Sequence, residues 1–207
     1  MRHKGRDRAI RPQSTSESIP TLPREFPPSP EWRAAQHRVR NDLQTIGALW
    51  RIARRRATSD ELAEAFPSWL NALAAIYDSL PLWQSDERVA IGDLLAALRS
   101  RCDFGAQFEF ELIGETCVPA QMAVAGALAV SDLLSFSAAS SEPGSIIKVT
   151  TTSDNDVTRI ETAFVSRPTP ADWPPLGLAV AAEAVGAQYA SHPDGDQAGA
   201  VLVMPWH

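Results

Sequence analysis

The 207-residue chain has only two cysteines, Cys102 and Cys117, with no CxxC pair and no histidine at ligand spacing. That shortage excludes a disulfide framework and argues against a zinc site; two buried thiols in a reducing compartment are the expectation. Long apolar runs are also missing on this reading. No stretch is taken as long and apolar enough to span a membrane, and the basic start (Arg2, Lys4, Arg6, Arg8, Arg11) leads into no signal-peptide core. A cytoplasmic protein with no membrane partner is implied. The net charge of −6 conceals an asymmetry, because residues 1–57 carry 13 Lys+Arg against 5 Asp+Glu. Nucleic acid is nevertheless not the expected partner: Arg54, Arg55 and Arg56 close a helix, where cations suit the carbonyl end of the dipole, and the other basic cluster lies in a tail.

Residues 1–28 are rich in Pro, Ser and Arg without apolar periodicity, so a disordered tail is expected there. Order should begin at Ser29, an N-cap followed by Pro30 at the first helical position and Glu31 in the first turn. From there Val39, Leu43, Ile46, Trp50 and Ala53 recur at spacings of 4, 3, 4 and 3, predicting the apolar seam of a packed helix. A second helix opens with Thr58 and Glu61 at capping-box spacing and carries Leu62, Phe66, Leu70, Leu73, Ile76 and Leu80 to Pro81, with Pro67 expected to kink or break it. Trp50, Trp69 and Tyr77 sit at core spacing as packing residues. Such a hairpin buries its apolar stripes poorly alone, so residues 29–82 are expected to form a four-helix bundle in a homodimer.

Residues 89–207 read as a separate unit. A short helix follows Gly92-Asp93, a half-buried strand spans Phe108, Phe110 and Leu112, and Met122 to Ala139 is a buried helix. Strands are expected at Ser145–Thr151 and Val157–Phe164, joined by a turn at Asp154-Asn155-Asp156, then a helix at Gly177–Val185 and a strand at Gly199–Met204. The fold class is therefore α+β: a helical hairpin followed by a two-layer α/β sandwich with helices on one face of a mostly antiparallel sheet.

One run stands apart, HRVRNDLQ from His37 to Gln44. Two residues advance a helix by roughly 200°, so His37 points away from Val39 and its imidazole is reachable from solvent. His37, Asn41, Gln44 and Ala48 make a second line at helical spacing. By contrast His3 and His207 lie in tails and His192 in a Pro-Asp-Gly turn, without partner patterns.

HRVRNDLQTIGALWRIARRR resembles the dimerisation and phosphoacceptor helix of bacterial histidine kinases with an HRxxN-type box, in which the first His accepts a phosphoryl group. The likeness continues through Leu70–Ile76 and the Ile91-Gly92-Asp93-Leu94-Leu95 entry to the next unit. It implies a hairpin followed by an ATP-binding domain of the histidine kinase and Hsp90 type, with His37 as phosphoacceptor and Arg38, Arg40 and Asn41 in auxiliary roles. Its nucleotide motifs are where the chain departs. The family's NELxTNAxKH helix holds Mg²⁺ through its second Asn; here the matching run is Ser131-Asp132-Leu133-Leu134-Ser135-Phe136, with Phe136 at that place. Where DxGxG should follow the Val157–Phe164 strand the chain reads Val165-Ser166-Arg167-Pro168-Thr169-Pro170. GxGL appears as Pro175-Leu176-Gly177-Leu178, and GGT as Ala198-Gly199-Ala200. A polyphosphate site needs a cation, a metal-holding oxygen or convergent N–H groups, and residues 89–207 offer 5 Lys+Arg against 14 Asp+Glu.

These departures point to a degenerate ATP domain and no cofactor held by this chain. The expected function is a phosphorelay histidine phosphotransferase moving a phosphoryl group between receiver-domain aspartates through His37, with Mg²⁺ supplied by the receiver. Its expected partners are a second copy, response-regulator receivers and an upstream hybrid kinase. Two alternatives stand beside it. One is an ATP-dependent sensor-type histidine kinase, against which the short tail leaves no room for a sensor domain; the other is a non-catalytic dimeric scaffold or anti-sigma-like regulator-binding protein.

Overall fold

A computed structural model describes residues 29–79, 88–114, 116–154, 156–167, 172–194 and 197–205. The expectations for the tail, His3, His207, Leu80, Pro81, Asn155 and Pro168–Pro170 fall outside these residues. Two helices come first, α1 (Pro30–Arg56) and α2 (Ser59–Ser79). Ser29 caps α1, accepting from the Trp32 amide at 3.3 Å. The capping box of α2 forms in both directions, with the Thr58 amide donating to Glu61 at 2.7 Å and the Glu61 amide to the Thr58 hydroxyl at 3.4 Å. Helix α2 continues through Pro67 as one element, so of the expected kink or break the break does not occur.

The rest of the chain follows as β1 (Arg88–Ala90), α3 (Ile91–Arg101), β2 (Gln107–Ile113), β3 (Cys117–Pro119), α4 (Ala123–Ser140), β4 (Ile146–Asp154), β5 (Val157–Val165), α5 (Leu176–Val185), β6 (Gln188–Asp194) and β7 (Gln197–Pro205). Five strands make one sheet in the order β2-β4-β5-β7-β6, antiparallel except for the β2–β4 pair; β1 and β3 pair separately. The three-residue strands β1 and β3 are too short to show an alternation in sequence. Strand β6 escaped notice because His192-Pro193-Asp194 has turn chemistry, yet His192 pairs with Gly199 of β7.

Helix α4 is the centre of the fold. It is apolar nearly all round because it has protein on all sides: the sheet below, through Ile147, Val149, Ile160, Leu202 and Met204, and the other helices around it. The segment Ala120–Ser140 is in fact long and apolar enough to cross a membrane by length and composition, which corrects the expectation; its burial inside the fold accounts for that apolarity. At the α4–sheet contact the Ser137 hydroxyl is hydrogen-bonded to the Leu133 carbonyl and to the Thr162 hydroxyl, each at 2.8 Å.

The hairpin is packed on this helical layer. Leu49 and Ala53 of α1, and Leu62, Trp69, Ala72, Ala75 and Ile76 of α2, belong to the same contiguous core as Leu133, Leu178 and Leu202. The buried face of α1 is therefore Ala35, Asp42, Leu49 and Ala53, rotated by roughly 60° from the expected seam at 100° per residue. Val39, Leu43 and Trp50 are exposed at 39%, 60% and 37%. Both lines are apolar, and the pattern alone does not distinguish a face that meets the chain's own domain from one that does not.

A shared core predicts shared unfolding. Leu49→Ala and Ile76→Ala should each destabilise the protein by about 2–5 kcal/mol within a single cooperative transition, followed by urea denaturation with far-UV and tryptophan signals. An early separate loss of helical signal in the wild type contradicts that.

Candidate phosphoacceptor helix and nucleotide-like site

The expected site residues lie in one stretch of α1. His37 is exposed, and the Asn41 amide Nδ2 lies 3.1 Å from its Nδ1. This i, i+4 contact fixes the ring plane against the helix. Arg40 is exposed and Arg38 half-buried. Sequence reasoning passed over Asp42, one turn further along the helix. Asp42 is only 9% exposed and accepts from the Tyr77 hydroxyl of α2 at 3.1 Å. Burial pushes its carboxyl above the usual range, against the opposing effects of the Tyr77 hydrogen bond and the Arg38 charge. Burial and the neighbouring Asp42 push Tyr77 up to about 12. The signal was present, because Ala35, Asp42 and Leu49 stand seven apart, with a carboxylate at the middle of an apolar line.

The basic run at the end of α1 finds a partner as well. Arg55 and Arg56 pair with Glu183 of α5, on a part-exposed surface where such pairs contribute little. His192, expected to be incidental, lies across Gly199 and reaches Glu161 at 3.7 Å. Of the two thiols, Cys117 is buried and Cys102 only half-buried; both are free. Among the described residues no group of three His, Cys, Asp or Glu side chains could hold a metal ion.

Where the resemblance would put a nucleotide, the residues do other work. Phe136 is 7% exposed and packs edge-on against Trp173 and Phe164, with ring centroids 4.6 and 6.3 Å away; Trp173 in turn meets Tyr189 at 5.8 Å. A phenyl ring offers no lone pair to a cation, and these edge-to-face contacts make it core. The Gly177 and Leu178 amides, at the start of α5, have the right character for a phosphate. Both are already taken by Asp132 of α4, which accepts at 2.6 and 3.2 Å. Burial raises the Asp132 pKa to about 6, with the two amide hydrogen bonds acting in the opposite direction. A Cβ on Gly177 would lie 2.5 Å from the Asp132 carboxylate and 2.6 Å from Trp69 Nε1. Glycine is thus required for close helix approach, which is a packing role.

With this geometry in view, the likeness to known proteins is informative. Residues 35–102 match a histidine kinase family model. The histidine kinase domain of the Erythrobacter litoralis EL346 blue-light activated histidine kinase superposes with a TM-score of 0.56 at 15% identity, over 82% of this chain and 94% of that one. The longer EL346 blue-light activated histidine kinase gives 0.61 at 15% identity, over 82% of this chain and 59% of that chain. No curated protein matches the sequence. The chain is histidine kinase-like: the match covers the His37 helix, α2 and α3, and the helical region followed by a sheet-based domain is the fold of such kinases.

The Asp132 environment makes a pH prediction. The unfolded carboxyl titrates near the ordinary 3.8 and the folded one at about 6, so between these values the folded state binds more protons. Wild-type stability relative to Asp132→Asn should fall as pH rises from about 4 to about 6 and then level off. Denaturant midpoints of both proteins across that window check this; a constant difference sinks it.

Proposed function

We propose that this chain is a phosphorelay histidine phosphotransferase, with His37 accepting a phosphoryl group from a receiver-domain aspartate and passing it to another. The observation that carries the reading is the exposed His37 imidazole held by Asn41 on the helix that matches the histidine kinase model. An amide presents either its NH₂ or its oxygen to a ring nitrogen. With the Asn41 oxygen on Nδ1–H, the Nε2 lone pair faces outward. Neutral imidazole then attacks phosphorus without a strong base. The acyl phosphate P–O bond breaks, an N–P bond forms, and the ring's extra proton leaves to solvent; the reverse returns phosphate to a carboxylate. The receiver's Mg²⁺ supplies charge stabilisation, with Arg38 and Arg40 flanking the group.

Asp132 and Phe136 favour this reading over an ATP-dependent sensor kinase. A carboxylate on the α5 amides repels a polyphosphate from the donors it would use, and Phe136 holds no metal. A cytoplasmic site is supported by the two unpaired thiols. Incubation with phosphorylated receivers should label the chain with acid-labile phosphate, whereas Mg²⁺-ATP should not. His37→Gln should abolish labelling while keeping the fold, since an exposed side chain contributes little to stability. Labelling from ATP, or transfer surviving in His37→Gln, rejects the proposal.

Histidine kinases are typically dimeric and work with response regulators, and the exposed apolar face fits a second copy here. Val39, Leu43 and Trp50 of α1 continue onto α2 through the Trp50–Phe66 contact, 5.8 Å between centroids, to Phe66 and Leu70, 45% and 49% exposed. This face lies opposite His37, so pairing through it leaves both imidazoles open. Leu43→Asp with Leu70→Asp should give folded monomers by light scattering at micromolar concentration, where the wild type is a dimer. A dimeric double variant would place the interface elsewhere.

A further inference from the structure

The five-stranded sheet ends in β2 on one side and in β6 on the other, and the two edges differ in chemistry. Strand β6 contains Pro193, which has no N–H to offer a further strand. Strand β2, Gln107-Phe108-Glu109-Phe110-Glu111-Leu112-Ile113, contains neither proline nor lysine, the residues with which an edge strand ordinarily resists pairing. It pairs in parallel with β4 along its whole length, and no described residue pairs with its other edge. Alternate amides and carbonyls of that edge point away from the sheet. We infer that β2 is a docking edge, taking as a sixth strand an extended segment of a partner protein in which apolar residues alternate with Lys or Arg.

The two faces of this edge select the occupant. Toward the helices, Phe110 and Leu112 line an apolar groove of about 380 Å³ together with Leu95, Ala96 and Arg99 of α3. Gly92 lines it too, and a Cβ there would lie 2.9 Å from Leu112 Cδ1, so glycine is what lets the strand lie this near the helix. Leu112 is nevertheless 48% exposed. Every second side chain of an added strand points into this groove, where an aliphatic group takes Leu112 and Phe110 out of water. The remaining side chains stand on the opposite face of the sheet, across from Glu109 and Glu111, both exposed. On the β4 side Glu109 has Lys148 as its register partner, but Glu111 has Thr150. Cations on the incoming strand balance that row, because opposite charges directly across a ladder attract and like charges repel. The same rule disfavours a second copy, since β2 against β2 sets carboxylate against carboxylate. Main-chain pairing then supplies affinity, and the groove and the two glutamates supply specificity.

The test uses the full-length chain and three end-capped synthetic peptides as long as β2: one alternating Lys and Val, one alternating Glu and Val, and the Lys/Val peptide with every backbone nitrogen methylated. Fluorescence anisotropy reads binding, and amide hydrogen exchange reads its place. The Lys/Val peptide should bind at micromolar concentration and slow exchange of the outward-facing β2 amides, the Glu/Val peptide should bind about tenfold more weakly, and the methylated peptide should not bind. Glu109→Lys with Glu111→Lys should invert the preference between the two charged peptides. Ala96→Phe, which fills the groove from an exposed helical position, should lose Lys/Val binding, and it decides the matter where the charge variant folds poorly. No binding of the Lys/Val peptide overturns the inference, as does equal binding of the methylated or the Glu/Val peptide, or protection that falls outside β2. Outward β2 amides already protected in the chain alone overturn it too: protection that grows with protein concentration marks a second copy on this edge, and protection independent of concentration marks cover by the chain's own residues.

Discussion

Three helices meet at the Asp132 carboxylate. It comes from α4, accepts the first amides of α5, and lies with Gly177 against Trp69 of α2. The contact is costly, since a buried carboxylate loses its hydration, and two backbone donors only partly offset that loss. It persists because α5 would otherwise begin with unsatisfied amides inside the protein. Much depends on it. The hairpin is held to the domain because a glycine permits the indole to come this near, and the amides best suited to hold phosphate are consumed by a side chain.

The same economy shapes α1, which presents three faces to three environments. Ala35, Asp42, Leu49 and Ala53 turn to the domain, Val39, Leu43 and Trp50 form an apolar strip exposed in the single chain, and His37 and Asn41 turn to solvent. A helix of 27 residues has surface enough for all three, because 3.6 residues per turn distribute neighbouring positions around the axis. Packing on α4 and α5 then sets the imidazole's direction. The direction of the imidazole consequently depends on the whole domain, which supports the helix.

Much of this was legible in the residues. Caps at Ser29 and Thr58, the alternation of β2 and the all-round apolarity of α4 each reflect local chemistry, and each became the element expected. The strands β1 and β3 were too short to show a period, and β6 hid behind His192-Pro193-Asp194, residues whose turn preference the β7 ladder overrode. The α1 seam was placed a fraction of a turn away from the face that is buried, since two adjacent apolar lines satisfy the same spacing. Asp42 and Asp132 were both visible as lone carboxylates in apolar lines, but spacing does not say what a carboxylate will meet.

The sequence by itself determined the helices and the longer strands other than β6, and that His37 stands on a polar helix face one turn from Asn41. These follow from periodicity, capping and side-chain chemistry, all properties of residues a few positions apart. Tertiary structure alone decided that the hairpin shares its core with the domain, that Asp132 takes the α5 amides, and that Tyr77 hydrogen-bonds Asp42. Those contacts join residues 35 to 46 positions apart, and no local spacing encodes them. They arise only when burial forces each polar group to find a partner among whatever the packed elements bring within reach.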